Sequence, residues 1–584
     1  MNGHMITTDE LNAHLWGAAD ILRGTADASD FKNHIFGLLF LKRLSDVFDE
    51  RRQEIIDEYV KSGMSVKEAT KIAETDADEY TRGSFFIPKT ARWAELMKHG
   101  ENRAEQIDKA LRAIEDQNSA YLEGVLAGVT FNDERRFGDA KEMDAFMQRL
   151  LTHFDKVKLG NRNLAEPDVL GNAYEYLVER FAETAGKKGG EFRTPKEVVR
   201  LLVELLAPQE GTRICDPTCG SCGMLIGCAR YVEDHDGNPQ NFSLFGQEKN
   251  YGTWAIGKLN MLLHALPDAK IEKGDTIRGP RLLDGGRLML FDRVIANPPF
   301  SLKDWGHEFA EKDPYGRFTR GIPPKTKGDM AFLLHMVETV NDKGMVGVVM
   351  PHGVLFRGSS EGGIRKALLN DDFIEAVIGL PPALFFGTGI PASILILNRN
   401  KPKPRRKKVL FIDASPEGFH LERAARNQLR AEDILRIVAV FRAYADPEAV
   451  PKQIKGTAKE WLHGAELHRD RQLKRVGTKD EQARQRVEEE YAGRKTEIEQ
   501  AREAVLKWLE GKTTLARFAA VVDLAEIAGE NEHNLNISRY VDSSEPPPEL
   551  DVAKELAKLR EVEKKRNEAE KQMDKLLAEI GFRG

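Results

Sequence analysis

The chain has 584 residues, a length that corresponds to about three or four domains. Its 41% hydrophobic content suits well-packed cores, and its net charge of −6 argues against a generically basic DNA binder, although local basic surfaces or a partner can contact phosphates. With no run of 18 apolar residues, no signal-peptide form at the N-terminus and four cysteines, we expect a cytoplasmic protein without a membrane span or structural disulfides.

The first 160 residues predict a helical domain. Apolar residues recur at helical spacing between Ile35 and Leu44, with Lys42, Arg43 and Asp46 on the opposite side. Charged stretches of helical character follow over residues 108–120 and 142–154. No alternation of polar and apolar residues indicates a strand in this part of the chain.

Short β-rich runs alternate with helical stretches from about residue 172 to residue 400. Strands are predicted at residues 212–215, 243–245, 291–296, 344–350 and 393–397. This alternation predicts an α/β, Rossmann-like domain with a mostly parallel sheet, flanked by a helical N-terminal domain and a helical C-terminal region. We expect domains at residues 1–160, 161–470 and 471–584. Ligands of such sheets bind beyond the carboxyl ends of the strands.

The last third of the chain is strongly charged. Residues 399–408 contain seven Lys or Arg and are interpreted as a solvated loop, with phosphate contact as the alternative. Residues 421 to about 530 predict helices. Residues 552–580 predict a terminal helix whose narrow apolar stripe is typical of a helix that needs a partner helix.

A turn of small residues follows the first predicted strand and leads into a helix over residues 224–231. Such a strand, turn and helix N-terminus form a cradle for a nucleoside or a charged ligand, because small residues let the ligand approach the backbone. The absence of G-x-G-x-x-G argues against a dinucleotide. We expect the carboxylate of Asp216, the first residue of the turn, to face an ammonium group. Contacts with the ligand are expected from Asp216, Thr218, Gly220, Ser221 and Gly223.

Two further acidic residues stand where predicted strands end. Glu248 closes the strand after the turn, where a carboxylate can accept hydrogen bonds from both ribose hydroxyls. Asp275 lies at another junction of strand and loop, where it can accept from an adenine amino group. Either residue alone is interpreted as a solvated carboxylate. Their occurrence after successive strands, downstream of the turn, favours a nucleoside site.

The strand over residues 291–296 leads directly into Asn297, Pro298, Pro299 and Phe300. The two prolines remove backbone donors and fix the direction of the chain. The side-chain carbonyl of Asn297 and the backbone carbonyl of Pro298 can then accept from one planar amino group and localise its lone pair for attack on a sulfonium methyl. Phe300 can stack on the ring that bears the amine. Catalysis of this kind needs positioning and electrostatics, without a metal.

Together these residues resemble the amino-methyltransferases of DNA, and most closely the methylation subunit of type I restriction–modification systems (HsdM). Further segments that resemble this family are residues 191–195 (EFRTP), 246–250 (GQEKN), 349–355 (VMPHGVL), 385–391 (FFGTGIP) and 534–540 (NLNISRY). The resemblance implies S-adenosyl-L-methionine as cofactor, with Glu191, Phe192, Thr194 and Pro195 near its methionine end. One departure is Cys222, where the family usually carries Gly, and it implies weaker cofactor binding.

The resemblance also implies an activity that depends on partners. The expected reaction is methylation of adenine N6 in DNA after base flipping. Two copies of such a subunit assemble with one specificity subunit (HsdS-like), which reads the DNA sequence, and a restriction and translocation subunit (HsdR-like) can join them. The long irregular segment over residues 301–329 is predicted to close over DNA near the flipped base, or else to be a mobile surface loop.

Three other interpretations stay open at this point. The four cysteines lie close together in the sequence, at residues 215, 219, 222 and 228, and their spacing also suits an iron–sulfur or zinc site, although convergence on one ion would break a strand and a helix. Protein glutamine N5-methyltransferases use a similar tetrapeptide on a side-chain amide. A subunit that binds without catalysing is the third interpretation, and the intact Asn297, Asp216 and Glu248 argue against it.

Overall fold

The computed structural model divides the chain into two compact units, residues 1–541 and residues 542–584. The residues that it describes are 5–22, 28–80, 84–126, 128–164, 169–173, 176–177, 194–238, 241–385, 389–423, 426–476, 481–511, 514–543 and 552–582. Within these ranges, no helix combines the length and the apolar character that a membrane crossing requires.

The N-terminal part of the first unit is helical, as the sequence predicts. Its longer helices are α1 (Thr8–Leu22), α2 (Ala28–Lys61), α3 (Val66–Thr75), α4 (Arg103–Gln117) and α5 (Ala140–Phe154). One-turn helices lie at Trp93–Leu96, Ser119–Leu122 and Glu134–Phe137. Capping boxes begin α3 at Ser65 and α5 at Asp139. Helix α2 buries Lys42, whose ammonium pairs with Asp46 at 2.6 Å.

A sheet of nine strands, counted over the described residues, forms the centre of the first unit. Its strands are β1 (Arg213–Asp216), β2 (Ser243–Glu248), β3 (Lys270–Lys273), β6 (Phe291–Ala296), β7 (Val340–Pro351), β8 (Ile374–Gly379), β9 (Ala392–Asn398), β10 (Lys408–Asp413) and β11 (Ala519–Asp523). Strands β4 (Leu283–Asp284) and β5 (Arg287–Leu288) form a separate hairpin. The order across the sheet is β11-β10-β8-β9-β7-β6-β1-β2-β3.

Most neighbouring strands of this sheet are parallel. Strand β9 is antiparallel to β7 and β8, and β11 is antiparallel to β10. Strands β3, β2, β1, β6 and β7 run parallel in that spatial order. The chain leaves β1 for β2 and β3 on one side and returns to β6 on the other, so the strand order reverses beside β1. Such a reversal is where α/β sheets bind ligands.

Helices cover both faces of the sheet. They are α6 (Lys196–Leu206), α7 (Gly223–Asp234), α8 (Tyr251–Leu263), α9 (Asp329–Thr339), α10 (Ser359–Asn370), α11 (Ala431–Ala443), α12 (Val450–Val476) and α13 (Glu481–Leu509). Strand β6 shows the two-sided burial: Val294 and Ala296 belong to one apolar cluster with α9 and α10, and Ile295 belongs to the other with α6 and α7.

The predicted fold class is confirmed, and each of the five predicted strands lies within an observed one or overlaps it. The prediction of helix throughout residues 421–530 is wrong at β11, which pairs with β10 at the edge of the sheet. The apolar run from Phe518 to Val522 forms this strand although charged segments surround it. Strands β3, β8 and β10 are absent from the prediction: β3 has one apolar residue among three charged ones, β8 contains the charged Glu375, and β10 begins within the basic segment 399–408.

The basic segment over residues 399–408 is in part structural. Buried Lys401 pairs with Asp372 at 2.6 Å and donates to the Lys408 carbonyl at 3.0 Å. Arg405 pairs at 2.8 Å with Glu375, whose side chain is fully buried in β8. The interpretation as a solvated loop is therefore wrong for these two cations, which fix the entry into β10. Lys403, Arg406 and Lys407 are exposed.

The second unit is described as one helix, α14 (Val552–Glu579). It matches the predicted terminal helix. Its apolar residues Leu556, Leu559, Val562, Met573 and Leu576 are exposed, in keeping with the predicted stripe.

Candidate active site

The predicted site residues meet at one edge of the sheet, beside the reversal of strand order. Asp216 closes β1, Glu248 closes β2, Asp275 follows β3 and Asn297 follows β6. These four strands are parallel neighbours, so their carboxyl ends lie side by side. Hydrogen bonds join the loops there: the Thr276 hydroxyl donates to the Pro217 carbonyl at 2.5 Å.

The turn after β1 follows the shape expected of a ligand cradle. Gly220 has φ +53°, and a Cβ added at Gly220 or at Gly223 would meet no atom within 4 Å. Open space therefore borders the turn where a ligand can approach the backbone. The Gly220 N–H donates to Glu248 at 3.2 Å, which links the turn to the carboxylate predicted to hold a ribose. The Thr218 N–H donates to Asp216 at 2.9 Å.

Cys222 occupies the left-handed region, with φ 64° and ψ 16°, immediately before α7. A residue with a Cβ pays roughly 1–2 kcal/mol for this conformation, which explains the family's usual Gly at this position. The side chain is fully buried, and its sulfur faces Gly257 of α8. A Cβ at Gly257 would lie 2.9 Å from that sulfur and 2.8 Å from the Gly220 carbonyl oxygen. Gly257 thus makes room for the turn and for the thiol.

Asp216 is buried, with 2% of its surface exposed. Burial raises the pKa of its carboxyl group to about 7, the hydrogen bond from the Thr218 N–H opposes this rise, and the nearby Glu248 carboxylate adds to it. An ionised carboxylate in this position lacks a cationic partner among the described residues. A ligand with an ammonium group would supply the missing charge.

Glu248 and Asp275 differ in the protein groups that contact their carboxylates. Glu248 accepts from the Gly220 and Asn250 N–H groups, at 3.2 and 2.7 Å. Asp275 accepts from the Ile277 and Arg278 N–H groups at 3.0 and 2.9 Å, and pairs with Lys249 at 2.9 Å. Burial raises the pKa of Asp275, but these hydrogen bonds and the Lys249 charge outweigh it, so the pKa lies below the usual value.

The tetrapeptide after β6 presents one unsatisfied acceptor. The Asn297 side-chain N–H donates to the Thr194 hydroxyl at 3.0 Å. The other end of the amide, Oδ1, is buried and has no hydrogen-bond partner among the described residues. Such an acceptor costs roughly 1–3 kcal/mol when left unpaired, so native structures keep few of them. This oxygen is therefore suited to accept a hydrogen bond from a ligand.

Phe300 is half-buried at the end of the tetrapeptide. Its ring meets Phe385 edge to face, with centroids 6.1 Å apart and an interplanar angle of 69°. Phe385 begins the segment that resembles a later family motif, and it is 4% exposed. The contact packs the Phe300 ring against the first residue of that segment.

Sequence reasoning assigned Thr194 and Pro195 to cofactor contact without connecting them to the tetrapeptide. The structure places Thr194 against Asn297 and makes Pro195 the residue before α6. The predicted contacts Glu191 and Phe192 lie outside the described residues. Asn260 was missed: it is fully buried in α8 and donates to the Ser221 carbonyl at 2.8 Å. A polar residue within the apolar helical run 259–263 was the available signal.

The segment over residues 301–329 is folded onto the domain rather than extended from it. Trp305 is 1% exposed and donates to the Pro324 carbonyl at 2.9 Å. Buried Arg317 pairs with Asp313 at 2.7 Å and donates to the carbonyls of Thr276 and Ile277, at 2.9 and 2.8 Å. The alternative of a mobile surface loop is therefore wrong for these anchors. The exposed part of the segment includes Lys303, Phe309 and Lys325.

The four cysteines are all free and buried. Cys215 is part of β1, Cys228 is part of α7, and the other two lie in or next to the turn. Over the ranges that the structure describes, no group of three or more His, Cys, Asp or Glu side chains is placed to hold a metal ion.

Two family models match the chain: the HsdM N-terminal domain over residues 11–154 and the N-6 DNA Methylase over residues 165–461. The chain is 30% identical to the type I restriction enzyme MjaVII methylase subunit of Methanocaldococcus jannaschii, over 96% of this chain and 83% of that protein. It is 34% identical to the type I restriction enzyme HindI methylase subunit of Haemophilus influenzae, over 63% of this chain and 84% of that protein.

A solved structure of a type I methyltransferase subunit agrees with these family matches. The crystal structure of a type I restriction-modification system methyltransferase subunit from Streptococcus thermophilus matches with a TM-score of 0.69 and 27% identity, over 92% of this chain and 100% of that chain. The match includes the helical N-terminal part as well as the sheet. The chain therefore belongs to the N-6 DNA methylase family, within the HsdM group that the methylase subunits of type I restriction enzymes form.

Proposed function

We propose that the edge of the sheet formed by β1, β2, β3 and β6 is the active site of this adenine-N6 DNA methylase. In this proposal Asn297, Pro298, Pro299 and Phe300 hold an extruded adenine, and the turn after β1 holds S-adenosyl-L-methionine. The observation that carries it is the Asn297 Oδ1 atom, a buried acceptor without a partner among the described residues. An amino group of a bound base satisfies it.

The residues present fit the cofactor. Asp216 offers a buried carboxylate for its ammonium group, and Glu248, which faces the turn, offers acceptors for ribose hydroxyls. The open space beside Gly220 and Gly223 admits a ligand close to the backbone. Asp275 is a weaker candidate for the adenine ring, because it pairs with the cations Lys249 and Arg278 in addition to accepting two backbone N–H groups. When bound, the cofactor supplies an electrophilic methyl group on sulfur.

Asn297 acts on the target amine through geometry. Thr194 accepts from the amide nitrogen and so directs Oδ1 toward the substrate. The adenine amino group donates one N–H to Oδ1 and the other to the Pro298 carbonyl. These two hydrogen bonds draw the amine toward tetrahedral geometry and localise its lone pair. Because the amine is a neutral nucleophile, no strong base is required before transfer. Because Oδ1 is buried, its hydrogen bond to the amine is stronger than the same bond in water.

The target adenine must leave the double helix to reach this edge. In this proposal Phe300, which packs against Phe385, provides the aromatic ring on which the extruded base stacks. The exposed Lys303, Phe309 and Lys325 of residues 301–329 lie on the segment that follows the tetrapeptide. We infer that this segment contacts DNA next to the flipped base, while its buried anchors Trp305 and Arg317 keep it in place.

In this proposal a partner subunit recognises the DNA sequence and provides part of the DNA-binding surface. The net charge of −6 provides little non-specific attraction to phosphate. The relatives named above are subunits of type I restriction enzymes. By the family resemblance, two copies of this chain join one specificity subunit, and a restriction subunit can be added.

Reconstitution with a specificity subunit tests this division of roles. Labelled methyl transfer to DNA is expected from the mixture and is expected to be at least tenfold slower from this chain alone. The reason is that the isolated chain has little positive charge with which to hold the duplex. Full-rate methylation of one defined site by the isolated chain would contradict it.

Thr194→Val is expected to lower kcat about tenfold, because the loss of one hydrogen bond lets the Asn297 amide turn and present its N–H to the substrate amine. Thr194→Ser keeps the hydroxyl and is the matched control, with kcat near that of the wild type. Single-turnover methyl transfer and calorimetric cofactor binding separate the two roles of Thr194. A valine variant that loses only cofactor affinity would contradict the orienting role.

A further inference from the structure

We propose that Asp329 and Arg357 form a positioning pair that fixes the exit of the tetrapeptide and thereby the ring of Phe300. The inference rests on the proposed function, in which Phe300 stacks on the extruded adenine. Neither residue belongs to a motif whose role is explained by cofactor binding or by acceptance of the amine. Asp329 accepts from the backbone N–H at the end of the tetrapeptide, and Arg357 donates to the other oxygen of the same carboxylate.

Ser301, the residue after Phe300, has a backbone that needs external support. Its φ is +52°, a left-handed conformation that side chains disfavour. Its N–H donates to Oδ1 of Asp329 at 2.6 Å. Asp329 is the first residue of α9, and its side chain is 1% exposed. The buried carboxylate thus holds the strained turn that sets the direction in which Phe300 leaves the chain.

Arg357 holds Asp329 from the other side. Its Nη2 donates to Oδ2 of Asp329 at 3.1 Å, and its Nε lies 3.2 Å from Oε2 of Glu361. The guanidinium crosses Gly353, where a Cβ would lie only 2.6 Å from Nε. Arg365 donates to the Arg357 carbonyl at 2.6 Å and so fixes the arginine's backbone. The pair therefore connects the tetrapeptide with the loop after β7 and with α10.

The chemistry of the pair requires both charged groups. Both oxygens of Asp329 accept hydrogen bonds, so an asparagine there keeps the bond from Ser301 or the bond from Arg357, but not both. The guanidinium donates to Asp329 and lies 3.2 Å from Glu361 without a hydrogen bond to it, and the single ammonium of a lysine does not reproduce that geometry. Asp329→Asn, which keeps the side-chain shape, and Arg357→Lys, which keeps the charge, are therefore each expected to release the turn at Ser301.

The test uses the complex with a specificity subunit. Unmodified DNA serves for kcat, and DNA that carries 2-aminopurine at the target adenine, which has no 6-amino group to methylate, serves for fluorescence. In the wild type, stacking on Phe300 is expected to quench the fluorescence of the extruded base. Asp329→Asn and Arg357→Lys are each expected to lower kcat at least tenfold and to raise this fluorescence toward the level of Phe300→Ala. Cofactor affinity is expected to stay within twofold of the wild-type value, because neither residue touches the turn after β1.

Asp372→Asn is the matched control, because it breaks another carboxylate–cation pair, with Lys401 at 2.6 Å, just before β8 at the amino edge of the sheet. It is expected to leave kcat and fluorescence unchanged. The comparison of the wild type with Phe300→Ala tests the proposed function, and the Asp329 and Arg357 variants test the pair. A failure of the proposed function can therefore be distinguished from a failure of the pair. Wild-type kcat and quenching in Arg357→Lys would overturn the pair. The pair would also be overturned if the variants lost activity only in proportion to the unfolded protein, while the folded complex quenched 2-aminopurine fluorescence as the wild type does.

Discussion

Replacement of Asn297 by alanine is expected to lower kcat of methyl transfer by about 10²–10³-fold, the cost of removing one preorganised group at the reacting atom. The Oδ1 acceptor is buried and has no partner among the described residues, so its removal deletes the contact proposed to the amine. Cofactor affinity is expected to stay within about threefold, because the turn after β1 keeps its own hydrogen bonds.

Asn341→Ala is the matched control for this variant. Asn341 stands at the start of β7, which runs parallel to β6, and it donates to Asp292 at 2.7 Å. It therefore lies at the amino edge of the sheet, away from the tetrapeptide. A stability loss of about 1 kcal/mol with unchanged kcat is expected there. Burst-phase transfer of labelled methyl measures both variants, and an Asn297 variant with wild-type kcat would refute the catalytic role.

Asp216→Asn is expected to weaken cofactor binding about tenfold to a hundredfold. A hydrogen bond between charged groups contributes roughly 1.5–3 kcal/mol, and the variant keeps the shape of the side chain without its charge. The Thr218 N–H still finds an acceptor in the amide oxygen, so the turn is expected to keep its conformation. Isothermal calorimetry at pH 8 measures the difference, and equal affinities would exclude Asp216 as the ammonium partner.

The same carboxylate predicts how cofactor affinity depends on pH. Burial raises the pKa of Asp216 to about 7 in the unliganded protein, against an ordinary value of 3.8. The carboxylate therefore ionises as the pH rises through about 7, and affinity for a cation is expected to increase between pH 6 and pH 8. Asp216→Asn is expected to lack this increase. The same rise in the variant would assign the dependence to another group.

The stability of the cofactor-free protein is expected to fall as the pH rises, whereas cofactor affinity is expected to increase. A folded pKa above the unfolded value gives stability that is fully present below pH 3.8 and is lost as the pH rises through about 7. At pH 8 without cofactor, Asp216→Asn is therefore expected to be more stable than the wild type, by an amount on the order of a few kcal/mol. Thermal unfolding at pH 5 and pH 8 checks this, because the gain is expected to shrink at the lower pH.

The parts of the site that follow one strand directly were predictable from the sequence. Asp216, Glu248 and Asn297 each stand at the carboxyl end of a strand, and parallel pairing of those strands brings them together. Local patterns carry this information, because a buried strand followed by small or proline-rich residues is visible in a short window. The Rossmann-like sheet and the helical flanks followed from the same patterns.

The contacts that orient these residues were not predictable, because they join distant segments. Asn297 and Thr194 are 103 residues apart, and Asp329 reaches back 28 residues to Ser301. Strand β11 was missed for a similar reason: it begins 106 residues after the end of β10, the strand with which it pairs. Pairing of this kind depends on tertiary context, which outweighs local preference.

The most direct test of the proposed active site is identification of the methylated nucleoside. DNA is incubated with labelled cofactor, a specificity subunit and either the wild-type chain or Asn297→Ala, then digested and analysed by mass spectrometry. The wild type is expected to give N6-methyldeoxyadenosine at the recognised site, and the variant at least a hundredfold less. Label on cytosine or on protein glutamine, or equal adenine methylation by the variant, would contradict the assignment of the tetrapeptide.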